Sequence, residues 1–422
     1  MRKFYIQNFG CRATQADGAA LEGLLGRQGL ASAADPASAD LVILNTCTVT
    51  ASADEDVRKS IHRVHRENPA ARILVTGCYA QRAPEELSRI PGVTWVIGNS
   101  HKTRIGEIVD PSTPSHGRVH VGDIFATTDF LSAPVEDAFS DRTRPNLKIQ
   151  DGCNNVCSFC IIPSVRGRSR SMSAEQVIEQ VGVLAANYRE IVLTGVNLGR
   201  WGREKRDLRL VDLLRRVLAE TSAERLRLSS IEPMDLSDEL LELMAAEPRI
   251  AKHVHAPLQS GSDPVLKRMK RRYRVRHYEA RIAKAYSLMP WAGYGADVMT
   301  GFPEETDAEF EESVRFIERM PFTYLHVFTY SERPGTPAAA FPQVPHPVRK
   351  ERTRRLRALG ESKNQAFRRN LAGRRISAVT LSDGTALTEN YLRVPLPQPH
   401  PANAIIDLDL GKGYLFPIFP PS

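Results

Sequence analysis

Cysteine is scarce in this chain. Six are spread over 422 residues, too few and too scattered for a disulfide-stapled secreted fold. No run approaches the roughly 18 to 20 apolar residues that span a bilayer. Met1 to Cys11 holds no long apolar stretch either, so neither a membrane protein nor a secretory leader is expected. Such cysteine usage fits metal or catalytic chemistry in a reducing cytoplasm. With 42% hydrophobic residues, the chain has enough apolar material for two or three packed domains.

Half of the cysteines share one loop, Cys153, Cys157 and Cys160. This C-x3-C-x2-C run has no fourth cysteine after it. Three thiolates hold three irons of a four-iron cubane and leave the fourth iron open to a substrate or cofactor. The competing readings are a zinc site, which calls for four ligands in close pairs, or three unrelated core thiols.

The other three, Cys11, Cys47 and Cys78, each close a run with strand character: Phe4 to Cys11, Leu41 to Cys47 and Ile73 to Cys78. Helical segments from Gln15 to Gln28 and Asp54 to Arg66 separate them. Strands alternating with helices predict an open parallel sheet, and ligands bind at the carboxyl edge of such sheets. The three thiols should therefore meet and hold a second cluster. A single cysteine so placed reads more simply as a small buried hydrophobe.

The middle third repeats a strand–helix rhythm. Strands are expected at Asn146–Gln150, Glu190–Val196, Arg225–Ile231, His253–Leu258, Tyr294–Thr300 and Tyr324–Thr329, with capping boxes at Ser173/Gln176 and Thr306/Glu309. Six strands in βα order suggest a parallel barrel, closed or partial, whose active face carries the loops after the strands. The cysteine loop follows the first strand. Thr194, Gly195 and Asn197 end the second, Ser230 and Glu232 the third, and Gln259 the fourth; Asp297 lies within the fifth. Each loop could be ordinary turn chemistry; together on one rim they read as a binding surface.

The net charge of +8 is concentrated. Pro345 to Arg375 holds eleven Lys/Arg against two Glu, and a second basic run goes from Lys267 to Arg276 around Tyr273. Such patches are footprints for a nucleic-acid backbone, although a charge run is usually a solvated helix face. The tail holds short strands at Ile376–Leu381, Tyr391–Val394 and Ala404–Leu408, with a hairpin turn at Ser382–Thr385. It reads as a small β-barrel, for RNA or as a structural cap. The domain boundaries are 1–125, 140–372 and 373–422, with a connector from about Asp110 to Pro145.

Several of these motifs closely resemble the radical S-adenosylmethionine (SAM) methylthiotransferases. They are Cys11 to Gln15, Asn45 to Cys47, Thr76 to Cys78, Gly152 to Arg170, Leu193 to Gly199, Pro257 to Ser262, Gly301 to Thr306 and Tyr330 to Thr336. Lys148 to Asn155 and Arg166 to Arg170 are most similar to the subgroup acting on N6-threonylcarbamoyladenosine at tRNA position 37. Two departures stand out: Thr14 occupies a position where the family usually has asparagine, and the tail resembles a shortened TRAM domain, mainly through Gly384 to Val394.

The resemblance implies an α/β chain: an N-terminal parallel domain, a partial (β/α)6 radical SAM barrel and a TRAM-like β-barrel. It implies two [4Fe-4S] clusters, on Cys153, Cys157 and Cys160 and on Cys11, Cys47 and Cys78. SAM would serve as radical source and methyl donor, contacted by Thr194, Gly195, Asn197, Ser230, Glu232, Gln259 and Asp297. No side chain is assigned as catalytic. Implied partners are the tRNA anticodon loop, an electron donor such as a flavodoxin or ferredoxin, and a sulfur donor. Alternative substrates within the family are isopentenyladenosine 37 and a ribosomal-protein aspartate. Outside it, a non-catalytic iron–sulfur protein for RNA binding or electron transfer would share the cysteine pattern.

Overall fold

The computed structural model describes residues 2–109, 117–131, 143–204 and 208–411. Much of the expected connector and the end of the tail, 412–422, lie outside them, as does the boundary drawn at 140. Strands β1 (Lys3–Asn8), β2 (Ala31–Ser32), β3 (Leu41–Thr46), β4 (Arg72–Gly77), β5 (Val93–Gly98) and β6 (Arg118–His120) form one parallel sheet, ordered β2-β1-β3-β4-β5-β6. β3 and β5 are buried along their whole length. Helices cover both faces, so these strands read as continuous apolar runs rather than alternating ones. The expected helices begin a turn earlier than their sequence pattern shows, at Arg12–Arg27 and Ala51–Glu67. In the second, the Thr50 side chain accepts from the Ala53 amide and so opens the helix.

The central unit contains β7 (Asn146–Asp151), the short β8 (Arg170–Ser171), β9 (Glu190–Gly195), β10 (Arg225–Leu228), β11 (His253–His255), β12 (Gly293–Thr300) and β13 (Tyr324–Thr329). They pair as two sheets, β10-β9-β7-β8 and β11-β12-β13. A parallel bridge between Leu226 and Ile250 joins them, helped by the Ile231 amide donating to the His255 carbonyl at 2.9 Å. Six parallel strands thus run β7-β9-β10-β11-β12-β13, and among the described residues β7 and β13 do not pair. The barrel is partial. The helix Arg12–Arg27 of the N-terminal unit packs against β7 and β9 beside the gap.

Two strands are shorter than their sequences suggest. Regular pairing stops at Leu228 rather than Ile231 and at His255 rather than Leu258. Beyond His255 the chain still bonds to β12, through Ala256 to Gly295 and Leu258 to Asp297, but it bends at Gln259, whose φ is +63°. Both expected capping boxes are present.

The tail forms β14 (Arg375–Thr380), β15 (Thr385–Thr388), β16 (Arg393–Pro395) and β17 (Ile405–Asp409), an antiparallel sheet ordered β16-β15-β14-β17. β15 was not expected as a strand, because only its turn, with Gly384 at φ +77°, carries a strong local signal. The expected small β-barrel is represented among the described residues by this antiparallel sheet, whose edge strands β16 and β17 do not pair there. The sheet caps the barrel at the starts of its strands. Arg227 donates to the carbonyls of Thr388 and Glu389, Arg225 to Ser377, and Asn390 to the Trp291 carbonyl.

Candidate active site

Cys11, Cys47 and Cys78 stand at the carboxyl ends of β1, β3 and β4, three neighbours in the sheet. Cys11 caps the helix Arg12–Arg27 and Cys78 opens the helix Cys78–Arg82. Cys47 and Cys78 are buried, and Cys11 is exposed. Their closeness is felt electrostatically. Burial pushes the Cys47 thiol up to about 12, reinforced by Cys78 and Cys11. Gly10, at φ +104°, lets the chain pass Cys47: a Cβ there would sit 2.5 Å from the Cys47 Cβ.

The second trio occupies the loop after β7. The Asn155 amide reaches Cys153 Sγ at 3.4 Å, and Asn197 Nδ2 reaches it at 3.7 Å. Arg271 Nη1 donates to Cys157 Sγ at 3.3 Å. Burial, then the neighbouring Cys157 and Cys153, push Cys160 up to about 12.

The two trios adjoin. Cys78 packs against Ile161 and Val165, just past Cys160. Asn99 Nδ2 bridges Cys78 Sγ at 3.7 Å and the Val165 carbonyl at 2.7 Å. Beneath them lies a buried ion network across the domain boundary. Asp17 accepts from Lys102 at 3.0 Å, from Lys148, and from Arg166 at 3.1 Å; Asp151 accepts from Lys148 at 2.8 Å and Arg166 at 3.0 Å. Burial opposes the Asp17 charge, yet Lys102, Lys148 and Arg166 outweigh it and hold the carboxyl well below its ordinary range.

All six cysteines are free thiols. A lone tetrahedral zinc would need its sulfurs roughly 3.8 Å apart, given bonds of about 2.3 Å. Among the described residues, the group of three whose ligand atoms all fall within 4.8 Å of one another is His255, Asp297 and His326; neither cysteine trio is drawn in so far. Three thiols at each place are a donor set that could hold three irons of a four-iron cubane.

The expected rim residues separate into groups. Thr194, Gly195 and Asn197 lie beside the cysteine loop, fastened by a residue that sequence reading missed. Gln150 accepts from the Asn197 amide at 2.6 Å and donates to the Asp151 and Gly152 carbonyls, each at 2.9 Å. Its only advance signal was its place before Asp151 in the motif. Ser230 is exposed. Glu232 pairs with Arg271, and burial raises its carboxyl. Gln259 lies on the bend after β11, whereas Asp297 faces His255 at 3.0 Å and His326 at 3.2 Å. The neighbouring Ser260, Gly261 and Ser262 pack onto the helix Asp307–Arg319.

Much of the basic charge is structural. Arg352 is buried against Glu305 and Asp307, Arg268 pairs with Glu309, and Arg354 and Arg355 pair with Glu351 and Glu311. That leaves a thinner phosphate footprint than the residue count suggested.

Residues 3–98 match the model of the Uncharacterized protein family UPF0004, and 147–317 that of the Radical SAM superfamily. The threonylcarbamoyladenosine tRNA methylthiotransferase MtaB of Aquifex aeolicus is 36% identical over 93% of this chain and 96% of its own. The chain belongs to the radical SAM methylthiotransferase family. Another member, the tRNA-2-methylthio-N(6)-dimethylallyladenosine synthase of Syntrophotalea carbinolica, is 35% identical over 86% of this chain and 84% of its own. The radical SAM methyltransferase TsrM of Kitasatospora setae shares the fold, with a TM-score of 0.57 and 17% identity over 80% of this chain and 75% of that one. As a radical SAM methylthiotransferase, this enzyme uses SAM and a [4Fe-4S] cluster. Among the described residues, no helix is long and apolar enough to cross a membrane.

Proposed function

We propose that this methylthiotransferase acts at C2 of N6-threonylcarbamoyladenosine 37 in tRNA, giving the 2-methylthio derivative. The observation carrying this reading is the meeting of two cysteine trios at one domain junction, with Cys78 packed on the residues that follow Cys160. We assign one [4Fe-4S] cluster to Cys153, Cys157 and Cys160 and a second to Cys11, Cys47 and Cys78. A SAM held on the first cluster would supply the radical, a second SAM would supply the methyl group, and the second cluster would carry the sulfur.

The chain's own residues orient and shield. Arg271, Asn155 and Asn197 offer N–H groups to the sulfurs of Cys157 and Cys153, which favours the thiolate form that metal requires. Thr194, Gly195, Asn197, Ser230, Glu232, Gln259 and Asp297 are assigned to SAM. The domain limits 1–125, 140–372 and 373–422 are kept, with the tail both cap and RNA contact. The reductant is a flavodoxin or ferredoxin, and the compartment is the cytoplasm.

Mass spectrometry of tRNA nucleosides from a deletion strain tests the substrate. Loss of 2-methylthio-N6-threonylcarbamoyladenosine is expected. Its persistence, with loss of a methylthiolated dimethylallyladenosine instead, would select the second reading that the Syntrophotalea carbinolica relative supports.

A further inference from the structure

Arg12 directly follows a cysteine of the first trio, and its side chain reaches the meeting point of all three units. Its Nη2 donates to the Tyr391 hydroxyl of the tail at 2.7 Å, and its guanidinium carbon lies 5.7 Å from that ring's centre. Tyr391 in turn stacks on His253 of β11, with centroids 4.3 Å apart, and faces Tyr324 of β13 at 5.2 Å. The Tyr391 backbone holds φ +69°, a conformation that a bulky residue adopts at a cost and that clusters at functional sites.

Charge is unbalanced here. Arg144 and Arg227 both pair with Glu190, at 3.0 and 2.8 Å, and Arg225 stands 3.8 Å from the same carboxylate. Glu190 is spent on those three. Asp297 is occupied by His255 and His326. Arg12 has no carboxylate within ion-pair distance among the described residues, and its Nη1 is buried without a hydrogen-bond partner. A guanidinium held by one hydroxyl, with a second nitrogen unmet, is built for an incoming anion, and the planar fork suits a carboxylate best.

We infer that Arg12, positioned by Tyr391, is the specificity-determining residue that binds the carboxylate of the threonylcarbamoyl group. This rests on the proposed substrate and adds the group that reads it. A dimethylallyl substituent has no charge to offer and would leave the guanidinium unpaired, so one residue both favours the anionic nucleoside and disfavours the apolar one.

Anticodon stem-loop RNAs test it. One bears threonylcarbamoyladenosine at position 37, one its methyl ester, and one dimethylallyladenosine. The cluster-loaded wild type should bind the acid about 10- to 100-fold more tightly than the ester, the range for a charged hydrogen bond. In Arg12→Gln that ratio should fall to about one, while Arg12→Lys should keep part of it. Because the ratio is measured within one preparation, partial misfolding does not imitate the result. An acid-to-ester preference persisting in Arg12→Gln would remove Arg12 as the reader. A wild type that prefers the dimethylallyl RNA would overturn the substrate reading, and this inference with it.

Discussion

Arg333, in the loop after the last barrel strand, donates to Asp54 of the N-terminal unit at 2.7 Å, and both side chains are nearly inaccessible. The same guanidinium nitrogen reaches the Thr48 carbonyl at 3.1 Å, one residue beyond Cys47. Thr48 and Arg82 complete the shell around Asp54. The contact thus fixes the loop that carries Cys47 to the barrel that carries Cys153, Cys157 and Cys160. Removing Arg333 leaves Asp54 with Arg82 and Thr48 but deprives the Thr48 carbonyl of its charged partner, at about 1–3 kcal/mol. Arg333→Ala should lower the stability of the cluster-free protein by that order in urea unfolding. A loss below about 1 kcal/mol would mean that the domains are held elsewhere.

Glu190 gives stability a defined pH dependence. Burial disfavours its charge, but Arg227, Arg144 and Arg225 overcome this and hold the carboxyl at about 2 rather than 4.5. A carboxyl depressed by folding stabilises above its unfolded pKa, and that contribution drains away as pH falls through the folded value. The contribution should be on the order of 3 kcal/mol near neutrality and shrink from about pH 4.5 downward. Wild type and Glu190→Gln, unfolded in urea across this range, should therefore converge toward low pH. A constant gap would show that the carboxylate's charge is not what matters.

How much of this was legible beforehand follows from the range of each signal. Cys11, Cys47 and Cys78 could be brought together because parallel strands leave their carboxyl ends on one edge, whatever their separation in sequence. Ser173/Gln176 and Thr306/Glu309 were legible because capping boxes are local. Gln150 was hidden, since nothing in an isolated strand shows that its side chain ties two loops. The bonds from Arg12 to Tyr391 and from Arg333 to Asp54 cross domains and leave no periodic trace. Charge runs were visible but their partners were not, and so Arg352 and Arg268 counted toward RNA when they belong to Glu305 and Glu309.

Gly152 carries the turn from β7 into the cysteine loop. Its φ is +69°, and an added Cβ would lie 2.0 Å from the Arg168 carbonyl oxygen, a backbone atom with little freedom to yield. Gly152→Ala should therefore shift the loop and cost on the order of 1–3 kcal/mol. Iron analysis after anaerobic reconstitution should show loss of about four irons per chain, those assigned to Cys153, Cys157 and Cys160. Full iron with intact SAM cleavage would show that the loop tolerates the displacement.

The two trios should be separable by single substitutions. Anaerobically reconstituted wild type should hold about eight irons per chain, and Cys47→Ala about four. That variant keeps Cys153, Cys157 and Cys160 with their Arg271, Asn155 and Asn197 contacts, so with SAM and dithionite it should still release 5′-deoxyadenosine. It should not methylthiolate tRNA. Cys157→Ala should also fall to about four irons but lose both activities, because 5′-deoxyadenosine release depends on the loop after β7. If Cys47→Ala methylthiolates normally, the N-terminal trio is not the sulfur platform. If Cys157→Ala cleaves SAM, the roles assigned to the two loops are reversed.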